Sequence, residues 1–306
     1  MPIDWSRCPE SVRSIEMRLY EVSRLYWIQR KRVQSYKNFY AKVCREQGFP
    51  CELTPEIVRA AEMGKEKLEE LMEPLVRRHP VYQQYLRYLP GLGTVLSGLV
   101  LGNIHPWRFQ TVSKLWAWCG WAPREYYVEK CGSAECYHRI CKAVTGQIAR
   151  QLVRNVRFYR SLFEEWLERE IRKLVPQKLG RYLGTAVDAI DGDRVGAVAA
   201  AARSRDVDGF AEALKSLGVS VTRSRARELM SSIVSHATLR AYRLVAKVWL
   251  SQYYEAYCAI LGLPYRPPYV VFAGIRNMYY PPIIVVARGR EVPLAIERRA
   301  EATQAL

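Results

Sequence analysis

The side chains best suited to chemistry fall in one short run, Cys131-Gly132-Ser133-Ala134-Glu135-Cys136-Tyr137-His138-Arg139-Ile140-Cys141. A hydroxyl or thiol in a glycine-flanked loop beside arginine and lysine can attack a phosphodiester. The nearby cations then stabilise the charge that develops on phosphorus. The same mixture of cysteine and histidine invites a zinc reading. Its spacing, C-x4-C-x-H-x2-C, matches none of the tight C-x2-C knuckles, so no metal ligands are assigned. Asp188, Asp191 and Asp193 also cluster, but in a Gly/Ala-rich context typical of a solvated turn. The sequence calls for no cofactor.

A second constellation is Leu89-Pro90-Gly91-Leu92-Gly93-Thr94. Two glycines flank one apolar residue between two predicted helices, the pattern of a helix–hairpin–helix. Gly91 and Gly93 are expected to take conformations closed to other residues. Leu92 would plug the space between the helices. The amides of the hairpin and of the next helix's first turn would then face outward and hold a phosphate without reading sequence. A plain helical corner without a ligand is the competing reading.

The third constellation is basic. Arg150, Arg154 and Arg157 recur at helical spacing, with Arg139 eleven residues before the first of them. No acidic residue lies between Arg139 and Arg160. That pattern favours phosphate contact over a merely solvated face. The whole chain agrees, with 47 Lys and Arg against 30 Asp and Glu, a formal charge of +17. An excess of that size points to a polyanionic partner, because neutralising phosphates releases counterions.

These residues need rigid elements to hold them, and the hydrophobic pattern is mainly helical. Residues 10–45 carry a seam of Val12, Ile15, Leu19, Val22, Tyr26, Gln29, Val33, Tyr36, Tyr40 and Val43. Thr54 and Pro55 open a second helix with Ile57, Ala61, Gly64, Leu68, Leu71 and Leu75 on one stripe. The pair forms a helical hairpin or a coiled-coil arm between subunits. Short helices are expected over 81–89, 94–101 and 113–119. One long helix is expected over 142–174, burying Ile148, Leu152, Val156, Tyr159, Phe163 and Trp166. Short helices follow over 176–221, and Thr222 caps a last long helix to Leu261. Tyr269–Phe272, Ile283–Ala287 and Val292–Ile296 read as β-strands. Four regions result: the arm, 1–80; the hairpin region, 81–175; a helical region, 176–265; and a small β tail, 266–306. Trp107, Trp116, Trp118 and Trp121 are expected as core around the hairpin, with base stacking as the alternative.

No signal peptide or membrane span is legible, and eight cysteines are too few for a dense disulfide framework. Reduced thiols, a cytoplasmic location and no membrane partner are therefore expected.

Leu89-Pro-Gly-Leu-Gly93, Phe109 and Leu115-Trp-Ala-Trp-Cys-Gly-Trp-Ala-Pro123 together resemble the C-terminal domain of the insertion-sequence 110 transposases. In order after them come Gly132-Ser133, Lys142, Gly146 and Arg150, as in that family's serine loop and following helix. A fainter echo of the family's closing helix lies at 236–247. The match covers residues 81–157. It implies DNA transposition and recombination through a serine that attacks DNA and forms a phosphoserine intermediate. By resemblance Ser133 is that nucleophile, and an alternative alignment puts Cys131 there. Gly91, Gly93, Thr94, Arg124, Arg139, Lys142, Arg150, Arg154 and Arg157 would hold the backbone. The family's RuvC-like, ribonuclease-H-type metal domain has no counterpart in residues 1–80, where Asp4 is the only aspartate. A separate RuvC-like nuclease or a guide RNA would then be a partner, beside DNA and further copies of the chain. A non-catalytic architectural or regulatory nucleic-acid binder derived from a transposase is the second function the sequence allows.

Overall fold

A computed structural model describes residues 3–48, 54–183, 192–265, 280–286 and 289–294. They are mainly α-helical, with one small antiparallel β pair. In chain order the helices are α1 (Glu10–Phe39), α2 (Thr54–Arg78), α3 (Pro80–Gln84), α4 (Thr94–Asn103), α5 (Val112–Trp118), α6 (Arg124–Cys131), α7 (Arg139–Asn155), α8 (Arg157–Leu183), α9 (Gly192–Ser204), α10 (Val207–Ser216) and α11 (Arg223–Ile260). The strands are β1 (Ile283–Val286) and β2 (Arg290–Pro293), paired from Ile283 with Pro293 to Val286 with Arg290. The expected strand at Tyr269–Phe272 and the side chains of Asp188, Asp191 and Asp193 lie outside the described residues.

The chain forms two compact units, 1–151 with 248–306, and 152–247. The arm and residues 81–151 of the hairpin region fall in the first unit, and residues 152–175 fall in the second. In the first unit α1 and α2 pack on each other, and both pack on α4. Val12, Leu19, Tyr26 and Val33, spaced seven apart, are all buried. The seam departs from the expected stripe at two turns. Glu16 and Ser23, not Ile15 and Val22, sit at its deepest points, while Tyr36 is on the opposite, exposed face. Polar partners from distant segments make those substitutions in the seam.

Two glycines let α4 approach the arm. A Cβ on Gly98 would lie 2.1 Å from Met72 Sδ on α2, and one on Gly102 would lie 2.5 Å from the Leu19 carbonyl oxygen on α1. At Gly102 the obstacle is backbone and no side chain fits, whereas at Gly98 the Met72 side chain would have to shift. Residues 97–103 of α4 are buried throughout.

Glu16 organises the polar interior of this unit, and its side chain is wholly buried. Its Oε1 accepts from His79 Nε2 at 3.3 Å and from the Tyr257 hydroxyl. Its Oε2 accepts from His105 Nδ1 and Trp107 Nε1, each at 2.9 Å, and from the Cys8 thiol at 3.7 Å. The Val81 amide donates to His79 Nδ1 at 3.2 Å, which leaves the His79 proton on the nitrogen facing Glu16. Burial alone would raise the Glu16 carboxyl. The hydrogen bonds from His105 and His79 outweigh it and hold the group well below the usual carboxylate range. Two further α11 hydroxyls bind the segment after α4: Tyr253 to the Ile104 carbonyl at 3.1 Å and Tyr254 to the Phe109 carbonyl at 2.9 Å.

The second unit has an aliphatic interior. Leu174, Val175 and Leu179 of α8 meet Val198 and Ala202 of α9, Phe210 and Leu214 of α10, and Ile233 and Ala237 of α11 in one buried cluster. Asp206 caps α10, accepting from the Asp208 amide at 3.1 Å and the Gly209 amide at 3.0 Å. Thr222 caps α11 as expected, its hydroxyl accepting from the Arg225 amide at 3.3 Å.

The single helix expected over 142–174 is instead two, α7 and α8, interrupted at Val156. Backbone bonds continue around the break, from Val156 N to Leu152 O at 2.8 Å and from Arg160 N to Val156 O at 3.1 Å. The apolar stripe therefore runs on while the helix does not. The segment after Pro123, for which the hydrophobic pattern marked no element, forms α6 and ends at Gly132 in the left-handed region (φ 68°).

Candidate nucleic-acid interface and serine loop

The hairpin is built by a short first helix. α3 gives way to a single 3-10 turn, Leu86–Tyr88, before Pro90. Gly91 then adopts φ 89°, which favours glycine strongly. Gly93 does not: φ −66° and ψ 178° are open to any residue, which corrects the expectation for it. Its extended ψ is that of an ordinary N-cap. What glycine provides there is space, since a Cβ at position 93 would meet nothing within 4 Å.

Leu92 is buried at 3% exposure while Gly91 and Gly93 are exposed on either side of it. Ser97 ties the hairpin to α4, its amide donating to the Gly93 carbonyl at 3.0 Å and its hydroxyl to the Leu92 carbonyl at 3.4 Å. No side chain caps α4, so the amides of Thr94, Val95 and Leu96 have no intrahelical partner, next to the exposed Gly91 and Gly93.

The basic residues fall into different settings. Arg124 is exposed at the first position of α6. Arg139, first residue of α7, pairs with Glu135 at 2.7 Å, both exposed. The acid-free interval starting at Arg139 thus has a carboxylate just before it. Lys142 is half-buried, its ammonium 4.1 Å from the centre of the Tyr137 ring. Arg150 and Arg154 are exposed, four residues apart on α7. Arg157 is exposed at the start of α8, so the three arginines do not ride on one helix. The break at Val156 separates them, and Arg150 belongs to the first compact unit while Arg154 and Arg157 belong to the second.

Ser133 lies in the exposed turn between α6 and α7. Its hydroxyl accepts from the Glu135 amide at 3.3 Å, a local turn bond. The loop is closed by a disulfide between Cys131 and Cys136, and Cys44 is also disulfide-bonded. These bonds correct the expectation of reduced thiols. They also remove Cys131 as a nucleophile in this state. Among the described residues no imidazole, carboxylate or amine is hydrogen-bonded to the Ser133 hydroxyl.

A cysteine–histidine contact lies outside that loop. Cys141, buried at the start of α7, has His138 Nδ1 at 3.0 Å and donates to the Asn103 carbonyl at 3.1 Å. Burial pushes this thiol up, but hydrogen bonds from Cys119 and His138 pull it below the ordinary range. The buried Cys119 thiol is pushed up in turn. The His138 ring stacks on Trp118 at 5.2 Å and 14°, and the Arg108 guanidinium lies 4.8 Å from the Trp118 centre. Sequence reading grouped Cys141 and His138 in one run. It missed Cys119, whose only signal was its place in the Trp-rich segment before Pro123. Of the tryptophans, Trp107 is buried and Trp116, Trp118 and Trp121 are half-buried.

No protein-family model, curated protein or solved structure matches this chain. Among the described residues no cluster of acidic, histidine or cysteine side chains could hold a metal ion, and no helix is long and apolar enough to cross a membrane.

Proposed function

We propose that this chain is a DNA-binding protein of transposase-like type that grips the phosphodiester backbone at the hairpin. One observation carries the reading. Leu92 is buried while the glycines beside it leave the uncapped N-terminus of α4 open, in a chain of charge +17. Amides and helix dipole together attract a phosphate, and the fixed position of α4 pre-organises them. Arg124 and Arg150 in the first unit offer exposed cations for neighbouring phosphates, Arg139 and Lys142 are further cations of the same unit, and Arg154 and Arg157 are exposed cations of the second unit.

Gly93→Asp tests this without disturbing the fold. An aspartate fits the space and the backbone at this position and is a strong N-cap, so stability holds or rises. Its carboxylate takes the amides and repels phosphate. DNA affinity measured by fluorescence anisotropy should fall about tenfold or more, and the salt slope should shrink by roughly one phosphate. Unchanged affinity would overturn the reading.

A second reading concerns catalysis. A nucleophilic serine needs a base, and the Ser133 hydroxyl has only the Glu135 amide. This favours a non-catalytic architectural or regulatory binder over a strand-transfer enzyme unless DNA, a guide RNA or a RuvC-like partner completes the loop. A covalent protein–DNA adduct on a denaturing gel that disappears in Ser133→Ala would restore the enzymatic function.

A further inference from the structure

The face of α1 that points away from its own core carries exposed apolar side chains along its length, set among a few polar and charged ones. Met17, Leu25, Ile28, Tyr36 and Phe39 are each between 38% and 51% exposed. Met17, Ile28 and Phe39 are eleven residues apart, as are Leu25 and Tyr36. An eleven-residue spacing keeps side chains on one line along a nearly straight helix. The inner face repeats every seven residues and the outer face every eleven, so the two stripes serve different neighbours.

The two ends of this outer face differ. Near the N-terminus a shallow open hollow of about 480 Å³ is lined by Glu10, Arg13, Ser14, Met17, Arg18 and Glu21. Near the C-terminus the aromatic rings of Tyr36 and Phe39 stand out instead. The charges differ as well. Glu21 lies on the N-terminal half of the stripe. From Arg24 to Arg45 there is no acidic residue, and Arg32 occupies the equivalent place on the C-terminal half. Neither Glu21 nor Arg32 has an ion-pair partner among the described residues.

We infer that this face is the seam of a homodimer in which a second copy of the chain lies antiparallel, Leu25 facing Ile28, Met17 facing Tyr36, Ser14 facing Phe39 and Glu21 facing Arg32. One register satisfies all four pairs, and each occurs twice about the two-fold axis. The aromatic end of each copy enters the hollow of the other, where the Arg18 guanidinium can lie on a ring. The charge pairs form across the seam, which a parallel arrangement would not allow because it brings like ends together. A nucleic acid suits the face less well: Met17, Leu25 and Ile28 offer nothing to phosphate, and Glu21 repels it. The inference stands apart from the DNA reading and rests on none of its residues.

Light scattering on the full chain tests it. The mass should rise with concentration from 35.4 kDa towards twice that value. Ile28→Glu, an exposed position whose change leaves the fold intact, should weaken association about a hundredfold and return the chain to monomer with helix content unchanged. Glu21→Arg alone should weaken it about tenfold, and Glu21→Arg with Arg32→Glu should restore it to within about threefold. A wild-type chain that stays monomeric up to roughly 100 µM overturns the dimer. So does a double charge swap that fails to rescue the single one. An Ile28→Glu chain that still dimerises but loses DNA affinity also overturns it and makes the face a nucleic-acid surface.

Discussion

The two compact units solve the interior problem in opposite ways. In the first, one carboxylate gathers five donors from four stretches of chain. In the second, aliphatic side chains, alanines and Phe210 fill the centre. Its buried carboxylate, Glu170, is paired with Arg240 at 2.8 Å, whose side chain is partly exposed. The contrast teaches what each unit depends on. Directional bonds fix a single arrangement but fail together when one partner leaves, whereas aliphatic packing loses stability in proportion to the volume removed.

Removing the carboxylate should have the largest effect. Glu16→Ala strands two histidines, an indole and a tyrosine hydroxyl, and should destabilise the first unit by about 3–5 kcal/mol. Hydrogen exchange should show protection lost in α1, α2 and α4 while α9 and α10 keep theirs; equal loss in both units would erase the distinction. The pH dependence has a definite sign. The folded Glu16 carboxyl is depressed, so its contribution is complete above the unfolded value of about 4.3 and is lost as pH falls below it. Acid unfolding of the first unit should therefore flatten in Glu16→Gln. Phe210→Ala should destabilise the second unit by about 3–4 kcal/mol in urea titration, with no change of its pH profile. Gly102→Ala forces a methyl against the α1 backbone and should lower stability by about 1–3 kcal/mol. Smallest is Asp206→Ala, about 1 kcal/mol from loss of the α10 cap, read as a shift in denaturant midpoint.

How much was legible in the sequence follows the range of the interactions. Val12, Leu19, Tyr26 and Val33 announce α1 because a helical repeat is local, and Thr222 announces α11 because a cap acts within one turn. Leu92 between its glycines was legible for the same reason. Glu16 was not: four of its five partners lie 63, 89, 91 and 241 residues away, and only the fold brings them together. The break at Val156 was hidden because no glycine or proline marks it and the buried stripe crosses it. α6 was hidden because Pro123 reads as a stop, although a proline just before a first turn also begins a helix. The hairpin half of the candidate site was therefore visible in advance. The setting of the serine was not, because the disulfide across its loop and the Arg139–Glu135 pair depend on where α7 starts.

Gly98 and Gly102 have a mechanical consequence. Where side chains separate two helices, their rotamers act as a soft layer that absorbs small displacements. At Gly102 α4 has no such layer, and its backbone bears directly on the Leu19 peptide, while at Gly98 the Met72 side chain fills the gap. The helix behaves as a stiff peg, so a pull on the amides at its tip reaches the arm with little loss of amplitude.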